Sequence, residues 1–249
     1  VSRIDLTVLS DRRPALTGLS PPWGFAALVR TPEGQVLFDS GSDGPVLLKN
    51  MAALGIDPGE IGLILLSHAQ WDDLGALESI LEQGGGQTLA VPQGFPPELL
   101  GRLKGRCGRL VTVRSEPVEL SPGVYSTGVL RSEPPEQGLA IDIDDGVAAI
   151  GGCSHPGLER FVARAATSRR ESVPWAVGGF LPAGGDDRAI ARSIAALKGL
   201  GVESVAITRC TADRAKEALR AAFQGGFVEC DAGYTVTLSG GRRPGGGRG

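Results

Sequence analysis

Between positions 68 and 73 the chain sets an imidazole, an amide and two carboxylates close together, as His68, Gln70, Asp72 and Asp73. Imidazole and carboxylate hold divalent cations, and the same groups carry acid–base chemistry. The second of two histidines, His155, stands in Gly152-Cys153-Ser154-His155-Pro156-Gly157, and a guanidinium and a thiol adjoin in Arg209-Cys210-Thr211. Cys153 and Cys210 would allow a mixed Cys/His cation site. A Cys153/His155 nucleophile pair lacks an evident third group to orient it.

The residues before His68 show how such a cluster could be displayed. Leu63-Ile64-Leu65-Leu66 is an unbroken apolar run, the pattern of a strand buried on both faces. Side chains just past such a strand sit at the rim of a sheet, where open α/β folds bind their ligands. Leu74, Leu77, Ile80 and Leu81 then recur at helical spacing up to Gly84-Gly85-Gly86. Elsewhere, alternation or short apolar runs predict strands over residues 3–9, 23–29, 36–38, 88–91, 110–113, 123–127, 139–143, 147–150, 175–177, 204–207, 227–229 and 234–238. Helical spacing predicts helices over 45–54, from Leu158, over 186–198 and over 212–223. Both halves mix hairpins with strand–helix units, which predicts an α/β domain over residues 1–238 built from two mixed sheets between helices. The Gly/Arg tail, 239–249, is too rich in glycine to pack.

With a net charge of −3 and no basic stripe, the chain gives no reason to expect nucleic acid. No apolar run approaches the ~18 residues that span a bilayer, and the start carries no secretory signal pattern. None of the four cysteines falls in a Cys-x-x-Cys pair, which argues against a disulfide scaffold and predicts reduced thiols in the cytoplasm.

Taken in order, these motifs resemble the metallo-β-lactamase fold. That family's metal signature reads His-x-His-x-Asp-His after a buried strand, where this chain has His68-x-Gln70-x-Asp72-Asp73. Leu37-Phe38-Asp39-Ser40-Gly41 is similar to the family's apolar-apolar-Asp-Thr-Gly turn, and Leu54-Gly55-Ile56-Asp57-Pro58 to its approach to the metal strand. The segment around Cys153 is similar to the Gly-Cys-Ser-His-Pro-Gly of the branch holding dihydropterin-aminobenzene-phosphate synthases, linked to methanopterin-type cofactors. Ser126-Thr127-Gly128-Val129 resembles that branch's Thr-Thr-Gly-Glu. The resemblance spans residues 23–234 and implies a four-layer αββα sandwich. The branch's Gly-Gly-Phe-His-Leu and His-Cys-Thr-Gly read Gly178-Gly179-Phe180-Leu181-Pro182 and Arg209-Cys210-Thr211-Ala212 here. Position by position, it puts a first metal on His68, Gln70 and His155, and a second on Asp72, Asp73, Arg209 and Leu181.

Arginine stays protonated and leucine has no lone pair, so the second metal is expected to be absent. Two carboxylates about 4 Å apart repel by about 4 kcal/mol at an effective dielectric near 20. Arg209 is therefore expected to replace the second metal, gripping Asp72 and Asp73 with bidentate geometry. The first set is weak for zinc, which leaves either no cofactor or one divalent metal, zinc foremost. The leading expectation is a pseudoenzyme that binds a small anionic or phosphorylated ligand through Arg209, His155 and Trp71, alone or in an oligomer. The alternative is a single-metal hydrolase of a phosphate ester, phosphodiester or lactone, with Asp72 as general base. A third reading is metal-free acid–base catalysis by Asp72, Asp73 and His155.

Overall fold

The periodicities resolve into two sheets in the computed structural model, which describes residues 3–21, 23–182 and 184–239. The first half runs β1 (Ile4–Ser10), β2 (Ala26–Thr31), β3 (Gly34–Phe38), α1 (Gly44–Ala53), β4 (Ile61–Leu65), α2 (Trp71–Leu74), α3 (Leu77–Gly84), β5 (Thr88–Pro92), α4 (Pro97–Lys104) and β6 (Arg109–Val113). The second runs β7 (Val118–Ser121), β8 (Val124–Leu130), β9 (Glu136–Ile143), β10 (Gly146–Ile150), α5 (Leu158–Arg169), β11 (Trp175–Phe180), α6 (Asp187–Gly199), β12 (Ser204–Thr211), α7 (Asp213–Phe223) and β13 (Phe227–Glu229). A last strand, β14 (Thr235–Leu238), returns to the first sheet.

The strand orders are β14-β1-β2-β3-β4-β5-β6 and β13-β12-β11-β10-β9-β8-β7. Each sheet passes from antiparallel to parallel pairing, at β3–β4 in the first and at β10–β11 in the second. Parallel strands need helices on their outer face, and each half supplies them. Leu6, Phe38, Leu63 and Leu65 meet Leu139, Ile150 and Trp175 between the sheets. Ile64 and Leu66 face Leu47, Met51 and Ile80 on the helical side of the first sheet, and Ala149, Val205, Leu158 and Leu219 fill the equivalent layer of the second. The result is the four-layer αββα sandwich. Within β4, Leu63 and Leu65 point inward and Ile64 outward, all at 4% exposure or less, so truncating Leu65 to alanine costs about 3 kcal/mol.

Three local expectations change. The helix after β4 is broken at Gly75 and Ala76, because Ser42 packs against that junction: a Cβ on Gly75 would lie 2.4 Å from Ser42 O. Helix α4 and edge strand β7 escape the sequence patterns, being short and flanked by proline or by turn residues. Strand β12 continues through residues 208–211 rather than ending at Ile207. The predicted tail begins at Ser239, whose carbonyl accepts from Trp175 Nε1 at 2.9 Å; residues 240–249 lie outside the described residues. Among the described residues, no helix is long and apolar enough to cross a membrane.

Candidate functional site

Asp39, just past β3, takes a positive φ of 55° that turns its carboxylate onto the segment after β4. Ser67 N donates to Oδ1 and Ser67 Oγ to Oδ2, each at 2.7 Å. Ser67 Oγ also lies 2.7 Å from His68 Nδ1, and His68 Nε2 lies 2.9 Å from Gln70 Oε1 and 3.3 Å from Asp73 Oδ2. The imidazole is held from both sides. Burial keeps His68 below the usual histidine range, so it is neutral at neutral pH.

His155 arrives from the loop after β10, its ring edge-to-face with His68 at 5.1 Å between centroids. Burial, and then His68, hold it low too, and its buried Nε2 has no hydrogen-bond partner among the described residues. Glu136 anchors this loop by accepting from Ser154 N at 3.0 Å and His155 N at 2.7 Å. Gly152 permits the approach, since a Cβ there would stand 2.9 Å from Ser67 Oγ and 3.0 Å from Asp39 Oδ2.

Arg209 comes from the other sheet through a bulge. Between the pairs Gly178↔Ile207 and Phe180↔Thr211, residues Thr208, Arg209 and Cys210 stand opposite Gly179 alone. Such a bulge re-aims a side chain. Arg209 turns inward, its side chain 5% exposed, and Nη2 donates to Asp72 Oδ2 at 2.6 Å. Its backbone N donates to Asp11 Oδ2 at 3.0 Å, and its guanidinium sits 5.4 Å over the Trp23 ring. Nε and Nη1 are buried with no hydrogen-bond partner among the described residues. Burial opposes the charge, but Cys210 and Asp72 outweigh it and keep the guanidinium protonated.

The bidentate grip expected on both carboxylates is thus a single contact with Asp72. Asp73 is one step further round α2 and points elsewhere: Oδ1 accepts from Phe25 N at 3.1 Å while Oδ2 faces His68. Burial, with Asp72 adding to it, pushes Asp73 up to about 7. Burial likewise raises Glu136 to about 7 and Asp11 to about 6, and lifts Asp39 well above the carboxylate range. These carboxyl groups keep protons that exposed ones would lose.

Of the expected first-metal residues, His68 and His155 come together, while Gln70 Oε1 is engaged by His68. Cys153 brings a further donor: one ligand atom each from His68, Cys153 and His155 lie within 4.8 Å of one another. Cys153 Sγ is also 2.7 Å from Cys210 Sγ; the shared hydrogen bond raises the Cys153 thiol, helped by burial, and lowers that of Cys210. Leu181 lies just beyond β11, 38% exposed, and Trp71 is 65% exposed on α2. The ring against Arg209 is Trp23. The sequence reading missed Trp23, Asp11 and Glu136, which sit outside any motif; burial alone marks the two carboxylates, and burial is not a local signal.

No family model matches the chain. It is 29% identical over 247 residues to the 7,8-dihydropterin-6-methyl-4-(β-D-ribofuranosyl)-aminobenzene-5′-phosphate synthase of Methanocaldococcus jannaschii, covering 81% of this chain and 84% of that protein. A metal-dependent hydrolase of the β-lactamase superfamily superposes with a TM-score of 0.76 at 25% identity, over 95% of this chain and 99% of its own. The metallo-β-lactamase fold protein YhfI from Bacillus subtilis superposes with a TM-score of 0.66 at 14% identity, over 95% and 100%. This chain has the metallo-β-lactamase fold, and its sequence resembles the dihydropterin-aminobenzene-phosphate synthase branch of that fold.

Proposed function

We propose that this chain binds a small phosphorylated molecule at Arg209 and does not hydrolyse it, because Arg209 takes a position that the resemblance gives to a second metal's ligand and a guanidinium cannot bind a cation. One observation carries the reading: Arg209 is buried against Asp72 at 2.6 Å, and its Nε and Nη1 have no hydrogen-bond acceptor among the described residues. Buried cationic donors without acceptors favour an anion, and a guanidinium fork suits phosphate oxygens. A dinuclear centre does not fit this donor set. Arg209 offers no lone pair, it already neutralises Asp72, and Leu181 lies partly exposed with no donor atom. The Methanocaldococcus jannaschii relative is named for a 5′-phosphate product, the same ligand class.

Calorimetric titration with ribose 5-phosphate, on protein purified without chelator, tests this. Binding is expected, weakened at least ~10-fold in Arg209→Met, as loss of a charge-assisted hydrogen bond of about 2 kcal/mol requires. Two bound equivalents of metal, with phosphodiester turnover that Asp72→Asn abolishes, would sink the reading.

A single-metal hydrolase is the second reading, favoured by the donor group of His68, Cys153 and His155. Two neutral imidazoles would suit zinc in kind, as would Cys153 once it gave up its proton, and a zinc ion held there would polarise an ester or phosphoryl oxygen. Asp72, expected as the base, has Oδ2 tied to Arg209 at 2.6 Å, so that oxygen already holds a partner. Asp73, pushed up to about 7 by burial, is the better proton acceptor in this reading.

A further inference from the structure

Cys210 supports the charge on Arg209 and is also one half of the closest thiol contact in the molecule's described residues. Cys153, in the loop after β10, and Cys210, in the β12 bulge, put their Sγ atoms 2.7 Å apart across 57 positions of sequence. An S–S bond is only about 0.7 Å shorter. The approach is built into the backbone through Gly179, which lies between the two. A Cβ there would meet Cys153 O at 2.6 Å and Cys210 Cβ at 2.7 Å, and Gly179 N donates to Gly152 O at 2.8 Å. Cys153 is 4% exposed whereas Cys210 is only half-buried, so a reagent meets Cys210 first. Cys107 and Cys230 sit apart from this pair, the first against the helical side of the first sheet and the second between the sheets.

We propose that Cys153 and Cys210 form a redox-active dithiol that closes to a disulfide by exchange with a low-molecular-weight disulfide. Cys210 gives its proton to solvent, and its thiolate attacks one sulfur of the small disulfide, breaking that S–S bond, forming a mixed disulfide and releasing one thiolate. Cys153 gives its proton to solvent, attacks the Cys210 sulfur and displaces the second thiolate. Two protein thiols are oxidised, and one small disulfide is reduced to two thiols. The new bond ties the loop carrying His155 to the bulge carrying Arg209, and removes the Cys153 sulfur from the donor group it shares with the two histidines.

The experiment uses the whole reduced chain, incubated with oxidised glutathione, quenched with N-ethylmaleimide in denaturant, and mapped by mass spectrometry. Alkylated thiols should fall from four to two, with Cys107 and Cys230 alkylated and one crosslinked peptide pair holding Cys153 and Cys210. Dithiothreitol should restore all four. Cys153→Ala should stop at a single glutathione on Cys210, and the wild-type map decides the matter even where that variant folds poorly. Four alkylated thiols at every glutathione ratio, adducts without a crosslink in the wild type, or a crosslink through Cys107 or Cys230 would each overturn the proposal. The readout needs neither phosphate nor metal, so it fails or succeeds apart from the proposed function.

Discussion

At the His68 end of the site burial pushes the carboxyls up and the imidazole down, and hydrogen bonds link Asp39, Ser67 and the imidazole, whereas at the Arg209 end a permanent cation meets Asp72. The first end is adjustable, because buried carboxyls and imidazoles can gain or lose a proton at modest cost. The second is set, since a guanidinium keeps its charge whatever the pH. Both ends are desolvated, so each must satisfy its own polar groups. One does so by sharing protons, the other by pairing opposite charges.

The largest effect is expected where that pairing is cut. Arg209→Met leaves Asp72 uncompensated at 13% side-chain exposure and should cost about 3 kcal/mol in urea unfolding. Adding Asp72→Asn should return much of it, and strict additivity of the two changes would break the contrast between the ends. The proton-sharing end should respond to pH instead. Glu136 is raised to about 7 in the fold from an ordinary 4.5, so the native state holds its proton more tightly than the unfolded chain. Its contribution is present at low pH and is lost as pH rises through about 7, roughly 3 kcal/mol by linkage. Glu136→Gln should flatten unfolding midpoints between pH 5 and 7.5; an unchanged slope would mean the carboxyl is already ionised.

Ser67→Ala removes the link between Asp39 and His68, all three fully buried, and should cost about 2 kcal/mol in the same assay. The smallest effect belongs to Trp71. At 65% exposure, Trp71→Ala should shift stability by no more than about 0.5 kcal/mol and leave ribose 5-phosphate affinity unchanged, while Trp23→Ala weakens it. The reverse outcome would move the ligand to the other side of α2.

Local sequence carried the elements whose pattern is local. The apolar run of β4, the helical spacing of α6 and α7, and the strands expected over 139–143 and 147–150 are each legible within a dozen residues, and the structure keeps them. The family resemblance also marked His68, Asp72, His155 and Arg209 as residues that belong together. It did not show how they meet. That Arg209 reaches Asp72 across 137 positions, with one contact rather than two, follows from a bulge in β12. That Glu136 and Asp11 hold raised protons follows from burial beneath two stacked sheets. Residue types and periodicity, being properties of neighbours along the chain, were settled by the sequence itself. Desolvation and side-chain direction are properties of neighbours in space, and only the packed sandwich decided them.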